Sequence, residues 1–220
     1  MEISLNQKIL ARNDAKAAQN AELLAKHGIY MLNILASPGA GKTSTILATI
    51  RALRQELAIA VIEGDIQSDV DSQAMKAAGI PAVQINTGGI CHLESNMVAR
   101  ALAALDQEVG LDRLDLILVE NVGNLVCPVD FELGEDAKIV IASVPEGDDK
   151  PLKYPGVFQI AQAVVLNKID TLPVFDFEQA EFTAHVYDLN PATPVFALSA
   201  TTGAGFKPWL DFLRAAIASK

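Results

Sequence analysis

A lysine and two hydroxyl side chains follow closely spaced glycines in Pro38-Gly39-Ala40-Gly41-Lys42-Thr43-Ser44, directly after the apolar run YMLNILA. Glycines in a short turn let successive backbone N–H groups converge on one anion, and a helix that starts there turns the positive end of its dipole on the same point. Such a turn cradles phosphate. Lys42 then reaches the β- and γ-phosphates of a nucleotide, and the Thr43 hydroxyl ligates a Mg²⁺ that bridges their oxygens. The usual pattern, G-x-x-x-x-G-K-S/T, has a glycine where this chain has Ala36, so the reading requires the backbone to enter the loop with φ < 0. The competing reading is a glycine-rich strand-to-helix turn with an incidental lysine, and the flanking strand and helix patterns disfavour it.

Two carboxylates stand where apolar runs end. Ala58-Ile59-Ala60-Val61-Ile62 leads to Glu63-Gly64-Asp65, and the run from Leu114 to Val119 leads to Glu120, with Gly123 three residues on. Ligands of open parallel sheets bind at the carboxyl ends of strands, so Asp65 should share a crevice with Lys42. Its work there is on Mg²⁺ or the attacking water, unless it only caps a helix beginning near Ser68. Glu120, in place of the more usual Asp, followed by a glycine whose N–H can meet a γ-phosphate, has the pattern of a nucleotide-sensing switch. Asn167-Lys168-Ile169-Asp170 closes the apolar run AVVL and carries a base preference. Asp170 can accept from both N1–H and the exocyclic amine of guanine, a donor pair that adenine does not present on that edge. Asn167 braces this loop, Lys168 lies along the base, and Ser199-Ala200-Thr201 offers N–H groups to guanine O6.

The chain holds two cysteines and three histidines. Cys91-His92 are adjacent, and Cys127 follows the Glu120–Gly123 stretch. Thiolate and imidazole suit Zn²⁺, and Ni²⁺ takes such ligands in square-planar form. Three donors leave a tetrahedral site one short, which points to sharing across a two-fold axis or to a labile site. The bland alternative is two small buried hydrophobes and a surface histidine. A disulfide is the less expected pairing in a reducing compartment. His27, before Gly28, reads as a helix end without a function.

To bring these groups together the chain must alternate strands with helices. Helical spacing over residues 5–27 leads into the first strand, and further strands fall at Ala58–Ile62, Ala82–Asn86, Leu114–Val119, Ala137–Val144, Ala163–Leu166 and Val195–Leu198. Helices fall at Thr45–Leu57, Leu93–Val109, Phe177–Tyr187 and Lys207–Ala218, with one more ending at Met75–Gly79. Asn121–Glu135 and Pro145–Pro155 read as loops. The alternation predicts an α/β fold, a doubly wound and mostly parallel sheet with right-handed crossovers. With 220 residues and 50% hydrophobic content, one sizeable core is expected. The net charge of −10 argues against a general nucleic-acid or anionic-membrane surface. No segment reads as a signal peptide or membrane span, so a cytoplasmic protein is expected.

SPGAGKT, EGDIQSD, PAVQINTGGICHLE, VENVGNLVCP, EGDDKPLKYP and NKID together resemble the nickel-incorporation GTPases of NiFe-hydrogenase maturation, the HypB family. The resemblance runs from about residue 30 to the C-terminus and implies a P-loop NTPase of the SIMIBI (signal-recognition and MinD-like) class, with Ala36 acceptable to that family. It divides the chain into a helical lead-in, 1–28, and a single GTPase domain, 29–220, with an embedded metal site. It further implies Mg-dependent hydrolysis of GTP to GDP with slow turnover, nickel or zinc on Cys91, His92 and Cys127, and GTP-dependent homodimerisation. The implied partners are a small nickel-binding accessory protein of the HypA kind and the hydrogenase large-subunit precursor. On the same resemblance Lys150 lends charge from the EGDDK stretch. The N-terminal cysteine cluster and histidine-rich stretch of some members are missing, and Ser199-Ala200-Thr201 departs from the more frequent Ser-Ala-Lys. The competing functions are a urease-type nickel GTPase, which typically carries a Cys-Pro-His motif, a nucleotide-responsive scaffold with merely buried cysteines, and a small-molecule kinase.

Overall fold

The computed structural model describes residues 5–65, 75 and 79–220, with side chains from residue 8 onward. The helix expected to begin near Ser68 therefore lies largely outside the described residues. Among the described residues seven strands form one sheet: β1 (Tyr30–Ala36), β2 (Ile59–Asp65), β3 (Ala82–Asn86), β4 (Leu116–Glu120), β5 (Ala137–Ser143), β6 (Ala163–Asn167) and β7 (Val195–Ala197). Their order is β3-β2-β4-β1-β5-β6-β7, and every neighbouring pair is parallel. Parallel sheets are covered on both faces, which is why these strands read as unbroken apolar runs rather than as alternating ones.

Helices α1 (Leu5–His27), α2 (Lys42–Leu53), α3 (Ser95–Glu108), α4 (Lys150–Lys153), α5 (Pro155–Gln159), α6 (Gln179–Leu189) and α7 (Phe206–Ala218) flank the sheet. On one face Ile46, Ile50 and Leu53 of α2 and Trp209 and Leu213 of α7 pack with Leu32, Ile34 and Ile139. The Trp209 Nε1–H donates to Thr49 Oγ1 at 3.0 Å, which joins the two helices. On the other face Leu24 of α1 and Val98, Leu102 and Leu105 of α3 cover Met31, Ile62 and Val119. Phe158 of α5 and Phe182 and Val186 of α6 cover Leu35, Val140 and Leu166. Between its neighbours β4 and β5, β1 stands where the winding direction reverses, and the crevice at its carboxyl end is where such sheets bind ligands.

The segment from 145 to 155 departs from the loop expectation. Glu146 accepts from both the N–H and the hydroxyl of Ser143, each at 2.9 Å, so a 3₁₀ turn is capped there and α4 and α5 follow at once. Pro151 and Pro155 sit at first-turn positions, where a missing N–H costs nothing. The prolines thus begin short helices instead of ending them.

Not every polar side chain on α1 faces solvent. Asn13 and Asn20 are buried. The Asn20 amide donates to Ser95 O at 2.8 Å and Leu133 O at 2.9 Å. Asn13 donates to Glu132 O at 2.7 Å and accepts from the Ser95 N–H at 2.9 Å. These bonds fix α1 to the start of α3 and to the loop before β5. That loop crosses α1 at Gly134, where φ is +94° and an added Cβ would lie 2.5 Å from Ala17 O. A Gly134→Ala variant combines an unfavourable backbone region with this collision, and urea denaturation should show it less stable by about 1–3 kcal/mol.

A chain of buried polar groups runs under β1. Asn33, fully buried, donates to Glu135 Oε1 at 2.8 Å, while Glu135 Oε2 accepts from the Leu133 N–H at 2.6 Å. Lys138, also buried, pairs with Glu132 at 2.6 Å and lies 3.9 Å from Glu135. Burial raises the Glu135 carboxyl above its ordinary value of 4.5, more than Asn33 and Lys138 lower it. A carboxyl raised in the folded state contributes stability that is fully present below its unfolded value and is lost as pH rises through the folded one. In denaturation curves taken from about pH 4 upward, the wild type should therefore lose stability relative to Glu135→Gln, whatever the constant offset between them.

Candidate functional site

A cleft of about 550 Å³ opens at the carboxyl ends of β1, β2 and β4, bordered by the loop before α2, by Glu63–Asp65, by Glu120–Gly123 and by Lys168. Ala36 is the last residue of β1, paired with Ile141 and fully buried. It lies outside the positive-φ region, so the chain enters the loop in the extended form that the absent glycine demands. Gly39 and Gly41 supply the left-handed turns, at φ +81° and +92°. At Gly41 a Cβ would also stand 2.4 Å from Asn167 Nδ2. Gly41 caps α2 without a side chain, so Lys42, Thr43 and Ser44 form the first turn, where N–H groups have no carbonyl of their own helix to meet. The helix begins at Lys42, three residues before the sequence expectation, and ends at Leu53 rather than Leu57.

The structure places Asp65 on the same cleft as Lys42, as the strand-end position requires. Thr43 Oγ1 donates to Glu120 Oε1 at 2.8 Å. A hydroxyl and a carboxylate so close, with Asp65 lining the same cleft, form an oxygen-only donor set of the kind a hard cation such as Mg²⁺ prefers. Gly123 packs against Pro38, from which a Cβ would be only 3.0 Å away, so the Glu120–Gly123 stretch lies directly on the glycine-rich loop.

Asn167 is buried and spans two loops: its Nδ2 donates to Ala40 O at 3.0 Å and its Oδ1 accepts from the Ala200 N–H at 3.1 Å. Lys168, the one non-glycine residue with positive φ among those described, at +62°, sends its ammonium to Gly39 O at 2.7 Å. Holding a side-chain-bearing residue in that region costs on the order of 1–3 kcal/mol, and the lysine's bond across the cleft gives the conformation a purpose. Asp170 is exposed, on the 3₁₀ turn that follows. The N–H groups of Ser199 and Ala200 are spent inside the fold, on Ala204 O at 2.9 Å and on Asn167. Those two N–H groups therefore brace the loop from within. Lys150 does not border the cleft: it pairs with Glu146 at 2.9 Å and lies over the Tyr154 ring.

Cys91, His92 and Cys127 come together, with one ligand atom from each within 4.8 Å of the others. Both cysteines are free thiols. Gly88 and Gly89, at φ +63° and +104°, turn the chain after β3, and Thr87 Oγ1 closes the turn on Ile90 O at 2.7 Å. Cys127 opens a 3₁₀ turn on the other loop, and Asn124 donates to Cys91 O at 3.2 Å to tie the two loops. The His92 ring packs against that of Phe131, tilted by 31° with centroids 3.8 Å apart. Its Nδ1 lies 3.9 Å from the Cys91 sulfur, and its buried Nε2 has no hydrogen-bond partner among the described residues. Glu94 is 3.9 Å from that nitrogen. Burial lowers the imidazole, against the pull of Glu94, and so favours the neutral ring that metals bind. The neighbouring Cys127 raises the Cys91 thiol, with burial adding to it. Bonds of roughly 2.0–2.3 Å to a central ion ask only a small contraction of this donor set.

Sequence reasoning missed the residues that hold these groups in place. Asn121, Asn124, Phe131 and Gly64 each carry part of the geometry, and although all but Phe131 stand in or beside the motifs read from sequence, none of them was given a role there. The Gly64 position is diagnostic in space alone, since a Cβ there would strike Leu93 at 2.8 Å.

Residues 30–197 match the family model described as CobW/HypB/UreG, nucleotide-binding domain. The hydrogenase maturation factor HypB of Azotobacter vinelandii is 46% identical over 96% of this chain and 68% of its own length. The hydrogenase/urease maturation factor HypB of Helicobacter pylori strain J99 is 41% identical over 96% of this chain and 87% of its own. A crystal structure of HypB from Helicobacter pylori in complex with nickel superposes with a TM-score of 0.90 at 39% identity, covering 94% of this chain and 96% of that one. A parallel sheet with the phosphate loop at its reversal point, a two-thiol, one-imidazole cluster beside it, and identity of this extent place the chain in the HypB family of hydrogenase maturation factors.

Proposed function

We propose that the protein is a GTP-hydrolysing metallochaperone that carries nickel toward the hydrogenase large-subunit precursor. The observation that carries the reading is the path of one loop: it leaves Glu120, which holds Thr43 on the nucleotide side, and reaches Cys127, which joins Cys91 and His92 on the metal side. Nickel is the cargo, and the nickel-bound relative supports that choice over zinc.

In the proposed reaction the first turn of α2 and Lys42 hold the phosphates, and Asp170 selects guanine through its two edge donors. Thr43, Asp65 and Glu120 would hold Mg²⁺, which supplies neutralisation of the charge that develops between the β- and γ-phosphates. Asp65, at the strand end, also stands where an attacking water can be oriented. Little covalent work falls to the protein, so positioning and charge account for the rate, and slow intrinsic turnover follows. GTP orders the Asp65 and Glu120 loops and favours a homodimer across the nucleotide face; hydrolysis relaxes the Cys127 loop and loosens the metal. A small accessory protein of the HypA kind would exchange nickel at this half-exposed cluster, in a cytoplasmic setting without nucleic acid or membrane. Urease is a second destination, supported by the name of the Helicobacter pylori relative; a Cys-Pro-His motif of the urease type is not present, since Val129 follows Cys127-Pro128.

Lys42→Ala should lower GTP hydrolysis by about 100-fold or more, as removal of a main charge-stabilising group does, and Asp170→Asn should weaken GTP binding by about 10–100-fold without a matching loss for ATP. A Lys42→Ala protein that turns GTP over at the wild-type rate removes the assignment of the loop. In equilibrium dialysis with Ni²⁺ and Zn²⁺, Cys91→Ala and Cys127→Ala should each lose the tight site, whereas a scaffold would take up no metal that depends on either cysteine.

A further inference from the structure

We propose that Asn121 is the positioning residue through which the nucleotide end of β4 grips the metal-binding loop. The inference rests on the delivery reading above and names the part that links its two halves. Asn121 is 1% exposed and follows Glu120 directly. Its own N–H donates to Ile34 O at 3.1 Å, which extends the pairing of β4 with β1 by one residue. Its side-chain oxygen accepts from two backbone donors, the Leu93 N–H at 3.1 Å and the Val122 N–H at 2.9 Å. Backbone N–H groups can only donate, so the amide orientation is fixed by its partners. The Nδ2 then donates to Asn33 Oδ1 at 3.0 Å, and Asn33 passes the same sense of donation on to the Glu135 carboxylate.

Leu93 is the residue after His92, and it is held on both sides. Its side chain, fully buried, packs onto Gly64 where no Cβ intervenes, next to Asp65 at the end of β2. Its N–H is on Asn121. Three residues along the same loop, Asn124 holds the carbonyl of Cys91. The segment Cys91-His92-Leu93 is thus gripped at both ends by asparagines of the stretch that borders the nucleotide cleft. A shift of Glu120–Gly123 on the loss of a γ-phosphate moves the oxygen that Leu93 is bonded to, and His92 is the next residue. The alternative for the Leu93 N–H is to remain buried without a partner, which is unfavourable enough that the two segments move together.

The test compares Ni²⁺ affinity in the GDP state with that in the presence of a non-hydrolysable GTP analogue, by competition with a chromophoric chelator, in wild type, Asn121→Ala and Asn121→Asp. The wild type should show a ratio of about fivefold or more between the two states. Asn121→Ala should bring the ratio close to one while Ni²⁺ still binds, and Asn121→Asp, which keeps the acceptor for both N–H groups, should restore it. A coupled wild type with an equally coupled Asn121→Ala overturns the role of Asn121 and leaves the delivery reading intact. Loss of the ratio in Asn121→Asp as well overturns the acceptor role assigned here. A wild type with the same affinity in both states overturns the delivery reading itself, and this inference with it. Should Asn121→Ala fail to fold, amide exchange across residues 87–98 of the wild-type protein decides: protection that differs between the two nucleotide states supports the grip, and identical protection overturns it.

Discussion

The register of β4 against its two neighbours governs the site. Glu120 pairs with Ile34 on one side and with Glu63 on the other, so β4 stops two residues before β1 reaches Ala36 and two before β2 reaches Asp65. Its terminal carboxylate is left recessed between two longer strands, beneath the first turn of α2. That recess is why the Thr43 hydroxyl can reach it. A slip of one residue would turn every side chain of β4 to the opposite face and bring a valine or an asparagine to the cleft. The cost of such a slip is large, because Ile117 and Val119 are committed to one core and Leu116 and Leu118 to the other. Packing on both faces of a buried strand is therefore what locates the chemistry.

The second constraint is polar and lies where an apolar residue would be expected. Asn33 occupies the centre of β1 with no exposure to solvent. Removing such a group from water is unfavourable unless each of its bonding positions is met. Here its oxygen is met by Asn121 and its nitrogen by Glu135, residues on two different loops. A leucine at position 33 would satisfy the core equally well by volume but would leave those two loops unregistered. Buried polar networks that are fully satisfied specify one arrangement of the parts they join, and the parts joined here are the nucleotide-facing loop and the loop that leads into β5.

Much of the layout was legible in the residues themselves. Apolar runs and their carboxyl-terminal Asp65, Glu120 and Asn167 marked the strand ends, and the two loop glycines marked the positive-φ turns, because local sterics act within a few residues and leave a local trace. Asn13, Asn20 and Asn33 were not legible, since nothing in a polar residue on a helix or strand shows that its partner lies about 80 to 120 residues away. The helical character of 144–159 was hidden for a different reason: prolines and charges that usually break a helix occupy its first turns, and only the Ser143–Glu146 cap shows which role they take. Bringing the two cysteines together was likewise a matter of topology, since β3 and β4 deliver their loops to the same end of the sheet from either side of β2.

On the proposed reading, the Cys91, His92 and Cys127 cluster has a physical character suited to cargo rather than to a resident ion. Its three donors sit on two loops, not on the strands, and each is only partly covered. A closed structural site would surround the ion with four ligands on well-supported elements and hold it through the folding free energy of the domain. With three donors, a fourth position remains for a solvent molecule or for a donor from another protein, and the ion can be passed by replacing ligands one at a time without ever being bare. The Cys91 thiol, raised by its neighbour Cys127 and by burial, adds to this, since a thiol gives up its proton to bind a metal and can regain it when the metal goes. Affinity at such a site depends on how closely two loops are held together, and one of those loops begins at the carboxylate beneath the phosphate-binding turn.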